Sequence, residues 1–184
     1  MFVRQNPGEE LAEAQSALET DPLNPYAIAA FVSGLYANRR YDEALAQLQR
    51  VADLKPPLQG VSFAIAQCYA KKQMMNEAIA MLRPGAEAGD PLFKALLGNL
   101  LARTGQSEEA NRIPSELSAR RDKTGAGAFH IAIVYAGFGK LDETFEWLNK
   151  SIDDQSIASF IMGPTFEDLH GDPRFDQLRN RLRI

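Results

Sequence analysis

A small residue recurs at nearly fixed spacing through this chain, and that recurrence constrains the fold more than any other feature. Ala44, Ala78, Ala110 and Thr144 each follow a polar turn and open a helical pattern. The steps between them are 34, 32 and 34 residues (78 − 44, 110 − 78, 144 − 110). The stretch from Asn24 to Pro57 shows what is repeated. Asn24-Pro25 supplies an N-cap and a proline at the first helical position, where its missing N–H costs nothing. Ile28, Phe31, Val32, Leu35 and Tyr36 then make one apolar helical face. After Asn38-Arg39-Arg40, Tyr41, Ala44, Leu45, Leu48 and Ala52 make a second, ending at Pro56-Pro57. A hairpin of this size cannot bury both faces itself, and the chain supplies neighbours by repeating the unit.

The spacing divides the chain into a half unit over 1–23, full units over 24–57, 58–90, 91–123 and 124–155, and a non-repeat capping tail over 156–184. The half unit has one helix, Glu9 to Thr20, with Leu11, Ala14, Ala17 and Leu18 as its buried stripe. Its missing partner favours a fragment of a longer protein. Pro84 and Pro114 fall inside expected second helices, where a proline costs about 3 kcal/mol unless the helix bends or stops. Both helices are expected to end early or kink there. Arg120 to Gly127 reads as a flexible connector. In the tail, Ile157, Phe160, Ile161 and Met162 are expected to cover the last unit. Asp172-Pro173-Arg174-Phe175 starts a final helix with Phe175, Leu178 and Leu182 along one edge. Arg174, Arg179, Arg181 and Arg183 give that helix a polar outer face.

A helix-turn-helix unit with a period near 34 resembles the tetratricopeptide repeat. Small residues at the expected helix crossings carry the resemblance: Ala44, Ala66, Ala78, Gly98, Ala110 and Ala132. Leu35, Tyr69, Leu101 and Tyr135 fill the large position that follows, and Gly105 and Gly139 fill the turn, where the first two units have Arg39 and Gln73. The resemblance implies an all-α chain, a right-handed α-solenoid of antiparallel helix pairs with a C-terminal capping helix. Ile133 to Gly139, Phe145-Glu146-Trp147-Leu148 and Asp172 to Phe175 are further similar to the C-terminal repeat region of bacterial multidomain regulators. That likeness is best over residues 90–184 and implies a detached regulatory or docking half, separated from an N-terminal winged-helix, cyclase or kinase effector.

The family binds protein segments in a concave groove lined by the first helices of its repeats. Laid on that template, the groove residues are Tyr26, Ser33, Tyr36, Phe63, Gln67, Lys71, Leu92, Asn99, Arg103, Phe129 and Ile133. The family's carboxylate clamp needs Lys and Asn at positions held here by Ala29, Ser33, Gln67, Ala95 and Asn99. Only Asn99 fits, which disfavours clamping of a peptide C-terminus. A protein or peptide segment with apolar anchors suits the mixed groove better. The alternative expectation is self-association, a homodimer through the unpaired first helix.

Composition narrows the other classes. Net charge is −4 at pH 7, which argues against nucleic acid as partner. No run approaches the roughly 18–20 apolar residues of a membrane span. Cys68 is the single cysteine, so no internal disulfide or multi-cysteine metal site is available. His130 and His170 lie forty residues apart (170 − 130) in different elements, and Cys68 has no histidine at short spacing. No enzyme, metal or cofactor is expected. A cytoplasmic setting is expected, or a periplasmic one for a piece of a membrane-anchored protein.

Overall fold

The computed structural model describes residues 7–52, 60–124, 127–153 and 164–182. Among them are ten α-helices and one short 3₁₀ helix, and no strand. The helices are α1 (Pro7–Thr20), α2 (Pro25–Ala37), α3 (Tyr41–Ala52), α4 (Val61–Lys71), α5 (Met75–Glu87), α6 (Pro91–Arg103), α7 (Ser107–Thr124), α8 (Ala128–Gly137), α9 (Leu141–Asp153) and α10 (Pro173–Leu182). The 3₁₀ helix, Pro164–Leu169, precedes α10. The fold is all-α, of the tetratricopeptide type: α1 packs on α2, α2 on α3 and α3 on α4, and likewise α6 on α7, α7 on α8 and α8 on α9. Two compact units are distinguished, Met1–Met81 and Leu82–Ile184.

The repeat is written most plainly in the turns. Arg39, Gln73, Gly105 and Gly139 all take the left-handed backbone conformation, with φ of 58°, 63°, 77° and 67°. In each case the next residue donates its N–H back across the turn. Arg40 donates to the Leu35 carbonyl, Met74 to Tyr69, Gln106 to Leu101 and Lys140 to Tyr135, at 2.9, 2.9, 2.9 and 3.1 Å. These are Schellman closures. The same residue's carbonyl then accepts the N–H of Ala44, Ala78, Ala110 or Thr144, at 3.1, 3.1, 3.2 and 2.9 Å, so each turn starts the next helix. The recurring small residue is thus fixed by backbone bonding as well as by packing. Ala44, Ala78 and Ala110 are fully buried, as is Thr144, whose Oγ1 donates to the Lys140 carbonyl at 2.7 Å.

In the first unit, Leu11, Ile28, Val32, Leu35, Ala44, Leu45, Leu48, Val51, Ile65 and Cys68 form one core. The N-cap of α2 is made as its sequence requires: Asn24 Oδ1 accepts the N–H groups of Tyr26 and Ala27 at 3.0 and 3.1 Å. Helix α1 lies on α2, with Leu11 so close to Gly34 that a Cβ there would stand 2.9 Å from Leu11 Cδ1. Leu11 and Ala14 are therefore buried within the unit, Leu18 is half-buried, and Ala17 faces solvent instead of completing the expected stripe. Lys72, just past α4, pairs with Asp42 in the first turn of α3.

In the second unit, Asp90 caps α6 by accepting the N–H groups of Leu92 and Phe93 at 2.8 and 3.1 Å. Neither interior proline stops its helix: α5 continues past Pro84 to Glu87, and α7 past Pro114 to Thr124. Pro84 and Ala80, whose carbonyl loses its i+4 donor, are both on the exposed side, where water can replace the bond. The turn after Pro84 is held by Gly89 N–H to the Ala86 carbonyl (3.1 Å) and Asp90 N–H to the Gly85 carbonyl (3.0 Å). Gly85 also lies against the Phe93 ring, 2.5 Å from where a Cβ would be. Around Pro114, the buried Ile113 and Leu117 hold α7 on its neighbours. Because α7 runs to Thr124, most of the expected connector at 120–127 is helix.

Helix α8 approaches α6 closely because Gly137 has no side chain: a Cβ there would meet the Asn99 carbonyl oxygen at 2.4 Å. Gly98 sits between Ile113 and Val134 in the same way, each 3.1 Å from an added Cβ. The tail docks through four buried side chains, Phe166 and Leu169 of the 3₁₀ helix and Phe175 and Leu178 of α10. Arg174 fastens it from outside, bonding Asp172 and Asp142 at 2.7 Å each and lying 4.3 Å over the Phe145 ring. Those two carboxylates, Asp172 before Asp142, raise the Arg174 guanidinium further above its ordinary range, and Arg174 in turn lowers Asp172. The expected contacts of Ile157, Phe160, Ile161 and Met162, and the position of Arg183, lie outside the described residues.

Candidate binding surface

The groove residues divide sharply by unit. On α2, the face opposite Ile28, Val32 and Leu35 carries Ala29 and Ser33, both exposed, and Tyr26 stands 85% exposed at the helix start. Tyr36 is half-buried, packed against the core and edge-on to Tyr41 at 5.3 Å between ring centroids. On α4, Phe63, Gln67 and Lys71 follow at i, i+4 and i+8, so they share one face, and all three are half-buried. The first unit thus presents aromatic, hydroxyl, amide and cationic groups on the solvent sides of its first helices. Leu23, 64% exposed in the turn before α2, adds an aliphatic side chain near Tyr26 in sequence.

The second unit corrects the template. Asn99 is only 7% exposed, and its Nδ2 donates to the Ile133 carbonyl at 2.8 Å. It is a bolt between the first helices of consecutive repeats, joining residues one period apart. Ile133 is 1% exposed and Phe129 4%, with Phe129 edge-on to Phe166 at 5.7 Å. Asn99, Phe129 and Ile133 therefore belong to the core here and line no open groove. Leu92 is half-buried and Arg103 exposed, the two second-unit candidates with solvent access.

The chemistry-bearing side chains are packing groups. Cys68 is fully buried, and burial pushes its thiol up to about 11, where the thiolate is scarce at neutral pH. His130 lies half-buried in α8, edge-on to Phe129. His170, in the turn before α10, packs on Phe175 at 4.5 Å. Among the described residues no three His, Cys, Asp or Glu side chains gather where a metal could be held, and no helix is long and apolar enough to cross a membrane.

The residues that sequence reasoning missed are Phe166 and Leu169, which close over α8. Their signal was faint: two apolar residues three apart, between Pro164 and Gly171, with no longer periodicity to mark a helix. No curated protein matches the chain. Residues 35–100, from the last turn of α2 into α6, match the family described as tetratricopeptide repeat, whose members are protein–protein interaction modules.

Proposed function

We propose that this chain is a protein-interaction scaffold that takes a protein or peptide segment on the first helices of its repeats, chiefly along α2 and α4. The observation that carries this reading is the outward set on those helices: Tyr26 and Ser33 exposed, with Phe63, Gln67 and Lys71 partly accessible. An extended segment with an aromatic or aliphatic anchor and an acidic group suits that mixture, the anchor beside Phe63 and the acid toward Lys71. The narrower resemblance of residues 90–184 supports placing the chain as the docking part of a larger bacterial regulator. The free buried thiol suits a reducing compartment, in keeping with the cytoplasm.

Phe63→Asp and Tyr26→Asp, each in the full chain, test the reading against a captured partner by calorimetry. An anchor residue is expected to cost about 2 kcal/mol or more of binding. Binding that survives both changes, with helical content intact, puts the site elsewhere. Self-association through α1 is the second reading; the burial of Leu11 and Ala14 within the chain leaves it less apolar surface than the groove reading has.

A further inference from the structure

The tail lies on a face that the repeat pattern assigns to binding. Phe129 and Ile133 are one turn apart on α8, and Phe129 is covered by Phe166 of the 3₁₀ helix, edge to face at 5.7 Å. Phe166 and Leu169 both point into the protein, whereas Glu167 and Asp168 between them are exposed. The docked segment therefore reads as an aromatic and a leucine three residues apart, separated by two acids. Its backbone is poorly suited to permanent burial: a 3₁₀ helix has weaker hydrogen-bond geometry than an α-helix. Phe166 also departs from helical torsions, with φ −114° and ψ 15°. The outer fastening is two exposed side chains, Arg174, 37% exposed between Asp172 and Asp142, and Arg181, which bonds Asn149 of α9. Apart from its four buried side chains the segment meets α8 and α9 at few places, and short elements fastened outside by exposed polar pairs are the ones that open locally.

We propose that residues 164–182 form a releasable strap. It occupies in cis an α8 surface that, once freed, takes a partner segment of the same chemistry, a Phe-acid-acid-Leu stretch. The proposal rests on the reading that the first helices of these repeats accept segments, and it adds an intramolecular competitor for the last of them. Phe166 is the plug, and Arg174 with Arg181 the clasp. Release exposes Phe129, which then receives the partner's aromatic ring in place of Phe166.

The probe is a fluorescent synthetic peptide copying residues 164–182, added to the full chain and followed by anisotropy. A closed strap lowers apparent affinity in proportion to the fraction of open molecules. Phe166→Ala in the full chain is therefore expected to bind the peptide about tenfold or more tighter than wild type. Adding Phe129→Ala is expected to remove that gain. If Phe166→Ala loses helical content by circular dichroism, the double variant Arg174→Ala, Arg181→Ala decides instead, since it cuts only the solvent-exposed clasp, and a several-fold gain is expected. No gain in a folded variant overturns the proposal and makes the segment a fixed cap. A gain that survives Phe129→Ala overturns it too, as does formation of dimers that exchange their tails. None of these variants touches Tyr26 or Phe63, so failure of the strap is distinct from failure of the α2 and α4 surface.

Discussion

The first helices of the repeats lead two different lives in this molecule. On α2 and α4 the face away from the core is open or half-open, with Tyr26 and Ser33 in solvent. On α6, seven consecutive residues from Ala95 to Leu101 are buried, and on α8 no residue is exposed. All four helices occupy the same place in the same period. The repeat therefore sets where a helix lies, and the covering of its outer face is set by other elements, such as the tail segment on Phe129. A residue's groove position in the template is thus no guarantee that it meets solvent.

The largest expected effect that sharpens this comparison is Gly137→Ala. The added Cβ would stand 2.4 Å from the Asn99 carbonyl oxygen, and backbone cannot step aside as a side chain can. A loss of about 3 kcal/mol is expected in denaturant unfolding, at the top of the usual overpacking range. Gly34→Ala in the first unit meets the end of the Leu11 side chain at 2.9 Å and should cost clearly less. Equal losses would break the distinction between a backbone crossing and an adjustable contact.

Asn99→Leu comes next. It removes the side-chain bond to the buried Ile133 carbonyl, which keeps only its bond within α8, for an expected loss of about 1 kcal/mol. Ser33→Ala, one repeat-helix position on the exposed side of α2, is expected to stay within about 0.5 kcal/mol. A neutral Asn99→Leu in urea unfolding would mean that the residue is not the bolt between α6 and α8.

The smallest effects test the turns. Arg39 and Gln73 hold left-handed torsions where the later turns have glycine, so Arg39→Gly and Gln73→Gly should each raise stability by up to about 1 kcal/mol. Gly105→Arg should lower it by a similar amount, about 1 kcal/mol. Thermal unfolding reads both signs, and destabilisation by either glycine would show that the side chain contributes more than its torsion costs.

Much of the fold was legible because it is written in residue type at fixed positions. Asn24 and Asp90 cap the helices they precede, and the small residues mark the crossings. Arg39 and Gln73 sit where glycine belongs and adopt its backbone. The prolines misled because the lost bond at Pro84 faces water and the helix around Pro114 is held by packing, neither of which a local rule includes. The surface was legible only in part. Phe129 and Ile133 read as groove residues because the segment that covers Phe129 has no periodic pattern of its own. Phe63, Gln67 and Lys71 were placed by spacing, and they do share one helix face.

Hydroxyl-radical footprinting of the full chain, read residue by residue by mass spectrometry, tests the contrast between the two pairs of helices most directly. Tyr26 should be oxidised many times faster than Phe129 after correction for intrinsic reactivity, Phe63 should fall between them, and Phe166 should be protected together with Phe129. Oxidation of Phe129 as fast as that of Tyr26 would contradict the contrast, because α8 would then present the same open face as α2.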